Sequence, residues 1–292
     1  MKKPLVAVAL LSLVLAGAAV ASDGWLIRSS NSGSSTYTGS RADDPIVFPG
    51  RPGATHMHDF FCNKATRASS TYNQMIVAAT SCRSGDTAGY WAPALYRNGV
   101  KINPAGKGTR QQIYYRDNNL QSGTRITAFP PNFKMVVGDA RATSLQNANA
   151  INRGSRVGSK IGREIYWGCS DNSSSGKAKA PVNCATGIIT LHVGFPNCWN
   201  GVKVRGDQIA AGTMRFPRSG VCPTGFKIAL PRLIERFEYR VGTDSSGIRL
   251  ASGPTYTAHA DFWNTWRQSA LQALVDRCLN GGVDCGTNPG VR

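Results

Sequence analysis

Three of the chain's four histidines fall in two short, matching contexts. His56-Met57-His58-Asp59-Phe60-Phe61 comes early, and Ala258-His259-Ala260-Asp261-Phe262-Trp263 comes late. Each sets two imidazoles, or an imidazole and a carboxylate, two residues apart and follows them with bulky aromatics. On an extended segment, residues i and i+2 point the same way. If the fold brings the two segments together, His56, His58, Asp59, His259 and Asp261 form one catalytic cluster. Two chemistries suit it. His56, His58, His259 and Asp261 make a nitrogen-rich ligand set for a divalent transition metal, which could activate water for hydrolysis. Without a metal, a histidine oriented by Asp59 or Asp261 could shuttle protons near neutral pH, since its ordinary pKa is about 6.5. Asp59 with Asp261 is also the carboxylate pair to set against glycosidase geometry. The blander reading makes Asp261 a cap for a following helix. His192, in the apolar run Thr190–Gly194, reads as a strand histidine. No nucleophile elbow, P-loop or dinucleotide fingerprint is present.

The elements that would position these groups are mostly strands. Helical spacing is confined to Asn264–Asn280, where Trp266, Ala270, Leu271, Leu274, Val275 and Cys278 recur every three or four residues between a candidate N-cap, Asn264, and Gly281-Gly282. Elsewhere, short β-type runs are separated by Gly, Pro and Asn: Gln74–Ala79, Gln111–Arg116, Lys134–Val137, Gly187–Val193, Lys227–Pro231 and Arg236–Val241. With 32 glycines and 15 prolines, this pattern predicts a mainly β fold. The expected architecture is a β-sandwich or jelly-roll-like single domain over 44–292, with long disulfide-stapled loops and a C-terminal α-helix. Within Ile113-Tyr114-Tyr115-Arg116, alternation would bury one tyrosine and expose the next. Arg116 and Tyr115, with Trp91 as a stacking surface, are the candidate substrate contacts, whereas Trp263 and Trp266 read as core.

Residues 1–21 have the form of an export signal: Lys2 and Lys3, an apolar stretch, then Ala19-Val20-Ala21. Secretion to an extracellular setting is therefore expected, with a serine-rich mobile segment over 22–43. No later apolar run reaches the roughly 20 residues of a membrane span. All eight cysteines lie beyond the signal: Cys62, Cys82, Cys169, Cys184, Cys198, Cys222, Cys278 and Cys285. An even number in an exported chain reads as disulfides, here expected to pair sequentially. No Cys-x-x-Cys occurs, which argues against a zinc knuckle or a thioredoxin-type site. Lys and Arg outnumber Asp and Glu by 34 to 16, which favours anionic partners such as an acidic polysaccharide. The basic residues are scattered and no nuclease signature is present, so nucleic acid is not the expected partner.

These segments, together and in order, resemble the secreted family catalogued as domain of unknown function (DUF) nineteen-ninety-six. The resemblance runs from Asp44-Pro45-Ile46-Val47-Phe48-Pro49-Gly50 and His56–Phe61 through Tyr90–Tyr96, Tyr114–Arg116 and Pro130–Met135. It continues through Trp167-Gly168-Cys169, Phe195–Gly201 and Cys222-Pro223 to His259–Asn264. Some members sit beside carbohydrate-binding modules, so the resemblance implies a polysaccharide context. Members often carry further histidines after the Cys-Trp-Asp/Asn-Gly stretch and after the later Cys-Pro. Here those places read Arg205-Gly206-Asp207-Gln208-Ile209 and Cys222-Pro223-Thr224-Gly225-Phe226, which implies an altered site with Asp207 as an acidic partner. The expected function is a hydrolase or lyase acting on extracellular or cell-wall polysaccharide. The alternative is a non-catalytic glycan- or envelope-binding protein.

Overall fold

The computed structural model describes residues 26–30, 35–105, 110–117, 120–145, 164–171, 180–283 and 285. The export signal expected from the sequence lies outside these. Among the described residues the chain is mainly β, with long loops, four disulfides and a C-terminal helix. No helix among them is long and apolar enough to cross a membrane.

Two five-stranded antiparallel sheets organise the structure. One runs β2(Tyr37–Arg41), β3(His58–Cys62), β4(Gly89–Pro93), β16(His259–Trp263), β8(Lys134–Gly138). The other runs β1(Leu26–Arg28), β7(Arg110–Arg116), β14(Arg232–Arg240), β10(Ile188–Gly194), β9(Ile165–Cys169). The shorter strands β5(Leu95–Arg97), β6(Val100–Lys101), β11(Cys198–Trp199), β12(Met214–Arg215), β13(Ile228–Ala229) and β15(Ile248–Leu250) form two small sheets beside them.

One hydrophobic core draws on both large sheets: Phe61, Tyr90 and Phe262 from the first, Tyr115, Leu191 and Phe237 from the second. Alternation along each strand decides what enters it. On β16, Ala260 and Phe262 face this core, while Trp263 turns to a smaller cluster with Phe60 and Trp91. His259 and Asp261 share the parity of Trp263, and His58 that of Phe60. The face away from the main core therefore carries the imidazoles.

The cysteines pair sequentially: Cys62–Cys82, Cys169–Cys184, Cys198–Cys222 and Cys278–Cys285. Three elements differ from expectation. Tyr72–Ile76, which overlaps the start of the Gln74–Ala79 run read as a strand, is a helix, α1, closed by a capping box in which Thr71 N–H donates to Gln74 Oε1 at 2.9 Å. The C-terminal helix, α2(Gln268–Leu274), begins four residues beyond Asn264 and runs on into a π-helical turn over Val275–Asn280. Asn264 is held by a different bond set, its side-chain N–H donating to the carbonyls of Phe129 and Pro130. Part of the serine-rich segment, Tyr37–Arg41, is strand β2, because β3 supplies partners for its backbone.

Candidate metal centre

The two histidine segments meet through β4. His58 on β3 pairs with Pro93. On the other flank Asp261 pairs with Trp91, and extending that register by two residues sets His259 opposite Pro93 as well. The two histidines thus flank one position, two strand spacings apart, and their side chains close over it. His56, in the loop leading into β3, lies with its ring centroid 4.2 Å from that of His58. The result is convergent: His259 Nε2 is 3.2 Å from His56 Nε2 and 3.3 Å from His58 Nε2.

The opposite edges of two rings are tied to backbone. His58 Nδ1 is 3.0 Å from the Asp43 carbonyl oxygen, and His259 Nδ1 is 2.9 Å from that of Thr257. A carbonyl only accepts, so both Nδ1 atoms carry the proton and both Nε2 atoms of the neutral rings present lone pairs. Two lone pairs then face each other at 3.3 Å, which is repulsive unless a cation lies between them. A proton is a poor candidate. Burial lowers the His56 pKa to about 4, and burial with the charge of His56 lowers that of His259 to about 3. Burial, then the charges of His259 and His56, push His58 well below its ordinary range.

A metal ion fits the spacing. Metal–nitrogen bonds of about 2.0–2.1 Å in a tetrahedron imply nitrogen–nitrogen edges of about 3.3–3.4 Å, against the 3.2 and 3.3 Å here. Anchoring of the distal N–H to a backbone carbonyl is also what orients metal-bound imidazoles. His56, His58 and His259 could therefore hold a metal ion. Three protein ligands leave a fourth position for water or substrate. The other group of suitable composition, Cys62, Cys82 and Asp86, offers no thiolate because its cysteines are bonded to each other.

His56 and His259 line a cavity of about 870 Å³. Its walls include Ile46, Val47, Phe48, Ile209, Met214 and Phe216, with the carboxylates of Asp44, Asp139 and Asp207 and the guanidinium groups of Arg141 and Arg215. Asp207 Oδ1 accepts from Val136 N–H at 3.0 Å and Ile209 N–H at 2.9 Å. Burial outweighs those donors and raises its pKa to about 6. Val136 precedes by two residues Gly138, which pairs with His259, so Asp207 is anchored about 7 Å along the strand from that pairing. Asp44 accepts from Ile46 and Val47 N–H at 2.8 and 2.9 Å, and burial raises its pKa.

The remaining expected site residues are placed elsewhere. Asp59 projects to the opposite face of β3 from His58, where it accepts from Ser40 and forms an ion pair with Lys101 at 2.9 Å. It belongs to the inner packing and cannot orient the imidazoles. Asp261 shares the face of His259 but lies one strand repeat away. It is buried, neither oxygen has a partner among the described residues, and burial, then Asp44, raises its pKa well above the ordinary range. It stands outside the group of convergent nitrogens. Tyr115 and Trp91 are 0% exposed. Tyr115 accepts from Trp266 Nε1 at 2.8 Å and meets Tyr90 OH, so both act as core rather than as substrate platforms. Arg116 lies over the Tyr114 ring in the second sheet and does not line the cavity. His192 stacks on Tyr166 at 4.4 Å. What the sequence reading missed is backbone: the Asp43 and Thr257 carbonyls carry no side-chain signal. Asp44 was visible only as the first residue of the Asp44–Gly50 stretch.

A family model described as "Domain of unknown function (DUF1996)" matches residues 44–266, and the chain belongs to that family. Searches of curated proteins and of solved structures found no match.

Proposed function

We propose that this family member is an exported, metal-dependent hydrolase acting on extracellular or cell-wall polysaccharide, with His56, His58 and His259 as ligands of a divalent transition metal. The observation that carries the reading is the meeting of Nε2 lone pairs forced by two backbone carbonyls. A cation at that point would polarise a substrate oxygen and lower the pKa of a water in the fourth position. The chain's own contribution is to hold three neutral imidazoles in register. It also supplies Asp207, whose carboxyl keeps its proton to about pH 6, as proton donor to the leaving group. The opening of His56 and His259 into a cavity favours a site that receives a ligand over a sealed structural cluster, which has no need of access. The excess of basic residues and the export signal support a polymer outside the cell, and two large sheets sharing one core support a sandwich-like scaffold.

The test is elemental analysis of the purified full chain, beside a His56→Ala, His259→Ala double variant shown to be folded by circular dichroism. One equivalent of metal in the parent and none in the variant is expected. A parent that takes up no zinc, copper, nickel, cobalt or iron on reconstitution removes the metal site and the hydrolase reading together.

A further inference from the structure

We infer that the cavity beside the three imidazoles receives an acyl group, and that the bond hydrolysed is the ester or amide joining that group to a larger, polar molecule. The inference rests on the metal reading and deepens it by naming the bond.

The cavity's side chains are mostly apolar, Ile46, Val47, Ile209, Met214, Phe48 and Phe216 among them, with charged groups set between. Its volume, about 870 Å³, lies in the range of small-molecule pockets, which are mostly apolar with a few placed polar groups. Val47 is 51% exposed, one of six large hydrophobic side chains left exposed among the described residues. A ligand in the cavity can cover this side chain and remove its apolar surface from water.

Charge points the same way. The carboxylates of Asp44, Asp139 and Asp207 outnumber the guanidinium groups of Arg141 and Arg215. Arg215 is moreover occupied: its Nη1 donates to the Gly212 and Met214 carbonyls at 3.2 and 2.7 Å, and the guanidinium lies over Phe226. The cavity therefore does not select an anion such as a uronate. A neutral group with an apolar body and one polarisable carbonyl fits both the walls and the imidazoles that share them.

The reaction balances with water as the only co-reactant. Water adds through its oxygen to the acyl carbonyl carbon, keeps one proton and releases the other to solvent, from which Asp207 is reprotonated at the end of the cycle. The bond from that carbon to the ester oxygen or amide nitrogen then breaks with its electron pair, and the leaving atom takes a proton, with Asp207 placed to supply it. The products are a carboxylic acid and the freed hydroxyl or amine. On a polysaccharide, this is removal of an acyl substituent and leaves the glycosidic chain intact.

The test uses the full chain loaded with zinc, its metal content fixed first by elemental analysis. Straight-chain hydroxamic acids from two to eight carbons are titrated calorimetrically; the hydroxamate chelates the metal and the alkyl chain samples the cavity. Affinity should rise about fourfold per buried methylene. The Val47→Asp variant, altered at an exposed position, should keep its metal and lose most of that slope. Hydrolysis of 4-nitrophenyl octanoate should exceed that of the acetate in the parent and not in the variant. Bound metal with a flat slope, or with tighter binding of glucuronate than of any alkyl hydroxamate, overturns the acyl inference alone. Absence of bound metal overturns the site reading and this inference with it.

Discussion

Replacing His259 by alanine separates a structural histidine from a metal ligand, because His259 is the hub of both close imidazole contacts. If its role were only to pack and to donate to the Thr257 carbonyl, truncating this buried ring would cost about 2–5 kcal/mol, in the manner of other large-to-small core changes. The geometry predicts less in the metal-free protein. The ring's Nε2 makes no favourable bond with the His58 lone pair, and the space it leaves is continuous with a cavity that water can enter. The expected loss is about 1 kcal/mol, that of a single hydrogen bond. The large effect should appear with metal. At a free metal concentration 100 times Kd, a ligand that binds only the folded state adds about 2.7 kcal/mol, or about 5–10 °C in Tm for a chain of this size. The assay is thermal unfolding of parent and His259→Ala proteins with a chelator and with excess zinc. Zinc should raise the Tm of the parent and leave that of the variant within error. The reasoning fails if the parent shows no shift, if the variant keeps the full shift, or if the variant loses several kcal/mol under chelator.

Three other perturbations follow from the same structure. Burial raises the Asp86 pKa from 3.8 to about 7; from about pH 4 to 7 the folded state therefore binds more protons than the unfolded one, and stability falls as pH rises. Asp86→Asn should shrink the difference in urea stability between pH 5 and pH 8 by an amount on the order of 3 kcal/mol, and an unchanged pH profile would contradict the assignment. Gly138 sits at φ +104°, and a Cβ there would lie 2.6 Å from His259 Cα. Gly138→Ala should cost about 1–3 kcal/mol and weaken zinc uptake, measured by calorimetry; full-affinity binding would show that the β8–β16 pairing does not position His259. Asp207→Asn should lower kcat on the octanoate ester by about a hundredfold and abolish a fall in rate as pH rises through about 6; a retained limb would assign it to another group.

Much of the site was legible because parity is legible. The i, i+2 spacing of His259 and Asp261 does place them on one face, and the histidines near both ends of the domain do converge in one cluster. The same parity rule removes Asp59: it follows His58 by one residue in a strand, so the fold turns it toward Lys101. Asp261 shows the limit of the rule, since a common face is not a common place. One strand repeat is about 7 Å, more than the span across three nitrogens sharing an ion. The strand order β3-β4-β16 decides which repeat meets His58, and that order is a long-range property no local pattern states. Tyr115 failed as a substrate contact for a similar reason: alternation fixed that Tyr114 and Tyr115 point oppositely, but only the pairing of β7 with β14 and the core between the sheets decide which side is inside.

The ligand set that results is smaller than the expected one, and chemically more restrictive. With Asp261 as a fourth protein ligand, the site would be closed and suited to a structural ion. With three imidazoles alone, the protein leaves a position that something else must fill, and the site faces a cavity lined by apolar side chains. Placing the carboxylates along the cavity, rather than on the ion, separates two tasks that one Asp at the centre would merge: polarising the reacting group, and delivering a proton to the atom that leaves. That separation would serve the proposed hydrolysis: strand parity brings His58 and His259 to one face, and the loops holding Asp44 and Asp207 set the carboxyls along the cavity.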